Sequence, residues 1–165
     1  MPIHPKKPPA PRATSDDLRS SIQRFVRSFG LLTADQTPCG VALSPSYAHA
    51  LMVLKEREQQ GAASTQQDLV GLLGIDKSNV ARLCARMAER GDVLQVDSAT
   101  DGRAWSLTLT TKGRQLALRV EAASRLRFER MLSAMPSDAA RADVLRALAV
   151  LNDAVAATRR MEETP

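Results

Sequence analysis

Thiols, imidazoles and aromatic rings are scarce in this chain of 165 residues, which has two Cys, two His, one Trp, one Tyr and three Phe. There is no CxxC pair, and His4 and His49 stand apart from each other and from any second ligand. A structural zinc site and a disulfide framework are therefore both excluded. Five rings (Trp105, Tyr47, Phe25, Phe29, Phe128) are too few for the stacking platforms on which single-strand binders hold successive bases. No HExxH, GxxxxGK[ST] or GxGxxG pattern occurs, so the chain is expected to be no enzyme and to carry no cofactor or firmly bound metal. Long apolar runs are also missing, and the N-terminal residues lack the apolar stretch of an export signal. A cytoplasmic protein with no membrane partner and free thiols is expected.

What is present in modest excess is positive charge: 23 Lys and Arg against 18 Asp and Glu, a net of +5. That balance favours an anionic partner, and with stacking proteins excluded the candidate is double-stranded DNA read by helices. Bulk charge does not carry the argument alone, because residues 64–119 hold eight basic side chains against six acidic ones. The length fits one domain.

Residues 1–14 hold Pro2, Pro5, Pro8, Pro9 and Pro11 beside Lys6 and Lys7, a composition that buries no core and predicts a disordered basic arm. Ser15 as N-cap, then Leu18, Ile22, Phe25, Val26 and Phe29 at helical spacing, predicts a helix over 16–32. After a loop containing Pro38, Cys39 and Gly40, Ser44 and Pro45 open a second helix that ends near Gln60. Overlapping capping boxes, Ser64 with Gln67 and Thr65 with Asp68, precede a short third helix closed by Gly74.

A fourth helix follows almost at once, from Asp76 to about Arg90. Two short helices joined by so tight a Gly-containing turn form a helix-turn-helix pattern. The second sorts its faces: Val80, Leu83, Cys84 and Met87 fall on one side, and Lys77, Ser78, Asn79, Arg82 and Arg86 on the other. Polar side chains near the start of such a helix can reach base edges while Arg takes guanine or phosphate. Residues 93–97 and 104–110 then read as strands around a turn containing Asp101, Gly102 and Arg103. A hairpin directly after a recognition helix is a wing, and Arg103 at its tip suits the narrow minor groove, with Asp101 placed to hold its guanidinium.

The run from Thr65 to Arg114 resembles the MarR family of winged helix-turn-helix transcriptional regulators. The residues that carry the resemblance are Asp76-Lys77-Ser78, Arg82, Glu89-Arg90-Gly91, Asp101-Gly102-Arg103, and Leu107-Thr108-Leu109-Thr110 leading into Lys112-Gly113. The resemblance implies a mainly α fold with a small β-hairpin wing, flanked by N- and C-terminal dimerisation helices. It gives Lys77, Ser78, Asn79, Arg82 and Arg86 to the major groove, and Asp101 and Arg103 to the minor groove. Asn79 stands where Thr is common, so no operator sequence carries over. On this reading residues 15–165 form one domain, with a winged core at 44–119 and dimerisation helices at 15–32 and 111–158. In the last of these Val144, Leu148, Leu151 and Val155 make an apolar stripe. A homodimer on a pseudo-palindromic operator follows, acting as a repressor released by a small-molecule effector.

The effector site implied by the resemblance lies between dimer helices and winged core, with Phe25, Phe29, Tyr47, His49 and Met52 as candidate lining residues; core packing is the competing role for each. Cys84, on the apolar face of the recognition helix, is expected to be buried. Cys39 has no apolar periodicity around it and is a candidate redox or soft-metal sensor, or an incidental loop thiol. A winged helix used for protein contacts is the rival function; such domains lose the groove-facing cations that Arg82, Arg86 and Arg103 supply here.

Overall fold

A computed structural model describes residues 13–97 and 105–162, a mainly helical fold with one two-stranded antiparallel sheet. The elements run α1 (Ser15–Phe29), α2 (Pro45–Gln59), α3 (Gln66–Leu73), α4 (Lys77–Glu89), β1 (Val93–Asp97), β2 (Trp105–Leu109), α5 (Thr111–Ser133) and α6 (Asp138–Glu162). Most of the arm predicted at 1–14, residues 1–12, lies outside the described residues.

Capping chemistry sets the helix starts, sometimes one residue from the predicted position. Thr14, not Ser15, caps α1, because Asp17 stands three residues into the helix and closes a reciprocal box with it. That helix stops at Phe29, short of the predicted 32, where the Leu31 N–H bonds back to the Val26 carbonyl. Ahead of α3 the Thr65–Asp68 box forms, while Ser64 is buried and accepts from Arg57 Nε at 3.0 Å. Gly74 then takes φ 63°, a left-handed conformation open to Gly at no steric cost, and the chain turns straight into α4. Against that turn rests the guanidinium of Arg159, from the last turns of α6.

The core lies between α2, α3, α4, the hairpin and the first half of α5. It contains Leu51, Leu54, Leu69, Val80, Cys84, Met87, Val93, Leu107, Leu109 and Val120. The predicted apolar face of α4 is wholly inside, and each such side chain contributes roughly 1.5–3 kcal/mol by leaving water. The strands pair with Val93 opposite Leu109 and Asp97 opposite Trp105. Two further bonds dock the hairpin: the Leu107 N–H donates to the Ser64 carbonyl at 2.7 Å, and the Leu109 N–H to Glu58 Oε1 at 2.9 Å. The other oxygen of Glu58 accepts from Arg114 Nε at 2.9 Å, so one carboxylate ties α2 to both β2 and α5.

A buried carboxylate sits where α4 gives way to the hairpin. Asp92 is fully buried and accepts the Tyr47 hydroxyl at 2.5 Å, with Lys112 Nζ at 3.3 Å and Arg90 Nε at 3.5 Å. Burial first, and then the Asp92 carboxylate, push the Tyr47 pKa far above the ordinary value, so the hydroxyl stays a donor. Gly113 completes the junction: a Cβ there would lie 1.9 Å from the Asp92 carbonyl oxygen, so no larger residue fits without moving backbone.

α1 and α6 differ from all this, since neither contains a buried residue. Leu18, Ile22 and Phe25 stay exposed on α1. On α6 so do Val144, Leu145, Leu148, Val150 and Val155, and Leu126, Phe128 and Leu132 extend the apolar surface along α5. No helix among the described residues is long and apolar enough to cross a membrane.

Candidate nucleic-acid interface

The tip of the helix-turn-helix is organised by one carboxylate. Asp76 caps α4, accepting the Asn79 N–H at 2.8 Å and the Ser78 hydroxyl at 2.6 Å on the same oxygen, while its second oxygen takes the Asn79 side-chain amide. These bonds, the Ser78 hydroxyl foremost, hold the Asp76 pKa down at about 2. Asn79 in turn accepts from Arg82 at 2.6 Å. Ser78, Asn79 and Arg82 thus form a single exposed network with fixed side-chain directions, the preorganisation that a base-reading surface needs. The amino-acid pattern singled out Ser78, Asn79 and Arg82 as candidates but not the carboxylate that organises them; Asp76 was read only as the start of the helix.

Lys77 and Arg86 are exposed and have no ion-pair partner among the described residues. Arg86 stands beside a groove of about 590 Å³ that opens between α4 and the first turn of α2, with Asn79 and Arg82 on its own side and Ser44 and Ser46 opposite. Nothing in the sequence periodicity links those serines to the recognition helix; the link comes from packing of α2 against α4. Asp101 and Arg103, the predicted wing-tip pair, lie outside the described residues.

A second concavity, about 240 Å³, lies away from this surface, between the end of α1, the 37–39 loop, α2 and α5. Of the predicted effector-site residues it takes in Phe29, His49 and Met52. Phe25 is not on its wall but stacks on Phe29 with ring centroids 5.1 Å apart. Tyr47 is a correction: it leaves the opposite face of α2 and is committed to Asp92. Cys39 does line the cavity, its sulfur 3.1 Å from Thr37 Oγ1. Cys84 is buried against the core, and burial pushes its thiol pKa up to about 11.

Arg127 is the cavity residue that sequence reasoning missed. It lies over the Phe29 ring at 5.0 Å and donates from Nη2 to the Phe29 carbonyl at 3.1 Å, while its buried Nε has no hydrogen-bond partner among the described residues. An apolar recess with Phe128 and Met52 on its wall and a guanidinium N–H left unpaired is chemically suited to a small, largely apolar anion.

The fold has counterparts. Residues 43–104 match the MarR family model. The Staphylococcus aureus MepR–DNA complex superposes with a TM-score of 0.69 at 20% identity, covering 83% of this chain and 97% of that one. A MarR transcriptional regulator from Methanosarcina mazei Go1 gives 0.67 at 19% identity, covering 87% and 99%. Bordetella bronchiseptica BpsR, whose DNA binding is regulated by 6-hydroxynicotinic acid, gives 0.57 at 22% identity, covering 82% and 95%. No curated protein matches the chain in sequence. Residues 43–104 thus resemble the MarR family, and the chain as a whole has the winged helix-turn-helix fold of these solved structures.

Proposed function

We propose that this protein is a repressor that binds a pseudo-palindromic operator in double-stranded DNA as a homodimer and is released by a small anionic effector. The observation that carries the DNA reading is the exposed network from Asp76 through Asn79 to Arg82 at the start of α4, backed by a fully buried apolar face. Lys77, Ser78, Asn79 and Arg82 enter the major groove, and Asp101 and Arg103 serve the minor groove beside it. Residues 15–165 act as one domain. Its flanking helices α1, α5 and α6 meet their counterparts in the partner, because many of their apolar side chains stay uncovered among the described residues.

The effector enters the cavity between α1, α2 and α5, where Arg127 Nε supplies the unpaired donor. Thiol sensing is the second reading, favoured by the place of Cys39 on that same wall. It predicts that Cys39→Ser abolishes release from DNA by peroxide; release unchanged in the variant removes that reading.

The test of the main reading is titration of genomic DNA fragments at two salt concentrations with wild type and Arg103→Ala. Specific fragments are expected to be retained by wild type with steep salt dependence and bound more weakly by the variant. Absence of both specificity and salt dependence would leave the protein-interaction rival standing.

A further inference from the structure

We infer that Arg86, with Ser44 and Ser46 facing it, clamps one phosphate of the DNA backbone and reads no base. The inference rests on the DNA-binding reading and divides the outer face of α4 into a base-reading tip and a backbone-holding shoulder. Arg82 and Arg90 are occupied, one by Asn79 at 2.6 Å and the other facing Asp92 at 3.5 Å. Arg86 has no such partner among the described residues. Asp35 lines a neighbouring recess with Arg86 but makes no ion pair with it.

Across the groove the two serine hydroxyls lie 3.3 Å apart, and Ser44 already accepts the Tyr47 N–H. The hydroxyl hydrogens can turn outward. A phosphodiester presents only acceptor oxygens, and this groove offers it guanidinium N–H and hydroxyl donors from two elements, with no carboxylate on its wall. Position along the helix agrees. Arg86 is seven residues beyond Asn79, a rise of about 10 Å, against a major groove about 12 Å wide. With Asn79 over the base edges, Arg86 stands at the groove margin, where the strand backbone runs.

The experiment uses the full chain and the duplex that the wild type selects from a random-sequence library. Affinity is measured across a salt series, and selection is repeated with each variant. Arg86→Ala should lower the slope of log K against log salt by about 0.9, the release of one phosphate contact, and should select the same sequence as wild type. Ser46→Asp, which puts a carboxylate where the phosphate would sit, should weaken binding by at least tenfold with the same selected sequence. Combined with Arg86→Ala, it should lose less than the two effects added, and circular dichroism should show both variants folded.

An unchanged slope in Arg86→Ala, or relaxed preference at one base pair, would overturn the clamp while leaving DNA binding intact. Failure of wild type to bind any duplex with salt dependence would overturn the DNA reading itself.

Discussion

Between Leu43 and Val120 the chain packs most of its large aliphatic side chains inward, with Leu51, Leu69 and Val80 wholly removed from water and Leu72, Leu94 and Leu118 left exposed. In α1 and α6 the same residue types face out, with Leu145 at 63% and Val150 at 69% exposure. The amino-acid patterns of α4 in the core and of α1 in the flank are alike, since both are amphipathic at helical period. What differs is whether the rest of the chain supplies a surface to bury the stripe. Among the described residues the core packs within one molecule, while α1 and α6 leave their apolar stripes uncovered. Core residues should therefore act on stability at any protein concentration, and flank residues only where the second half is present.

The largest expected effect sharpens that contrast. Leu51→Ala should cost about 2–5 kcal/mol in urea unfolding at every protein concentration. The same truncation at Leu148 should cost about 2 kcal/mol where dimers persist, and stay within about 0.5 kcal/mol where they dissociate. Equal, concentration-independent losses at both positions would erase the distinction between core and flank.

Next in size is the Asp92 junction, where Tyr47→Phe leaves a buried carboxylate without its hydroxyl donor. A loss of about 1–3 kcal/mol is expected from chemical denaturation, since the partner's desolvation is no longer offset. No change would mean that Lys112 and Arg90 satisfy Asp92 unaided.

At the exposed tip the effects are smaller. Asp76→Ala should lower the urea unfolding midpoint as a lost N-cap, with weakened DNA binding because Ser78 and Asn79 lose their common anchor. The pH dependence has a definite sign. The folded Asp76 pKa is about 2, below the ordinary 3.8, so its contribution is complete above about pH 4 and fades as pH falls toward 2. Carboxyl chemical shifts followed by NMR would check this, and a midpoint at the ordinary value would contradict the network.

The smallest perturbation is chemical. At mildly alkaline pH a thiol reagent should label Cys39 in the native protein and reach Cys84 only on unfolding, because burial raises the Cys84 pKa to about 11. Simultaneous labelling of both would show that the core opens readily.

Local chemistry was legible in the sequence and long-range pairing was not. The apolar spacing of Val80, Leu83, Cys84 and Met87 fixed which face of α4 turns inward, and Gly74 marked the turn before it. The competition between Ser15 and Thr14 for the α1 cap depended on a single reciprocal bond to Asp17, too fine a difference for residue type to decide. Tyr47 resembled a ligand-pocket residue because its true partner, Asp92, is 45 residues away in sequence. Arg127 and Ser46 carried no pattern at all. Each matters through what another helix brings to it, the Phe29 carbonyl in one case and Arg86 across the groove in the other.

The central claim, that a chain with a complete core and unfinished flanks is one half of a DNA-binding dimer, is tested most directly by the stoichiometry and salt dependence of its complex with a selected duplex. Analytical ultracentrifugation should find two protomers per duplex, with affinity falling steeply as salt rises. One protomer per duplex, or affinity indifferent to salt, would contradict it.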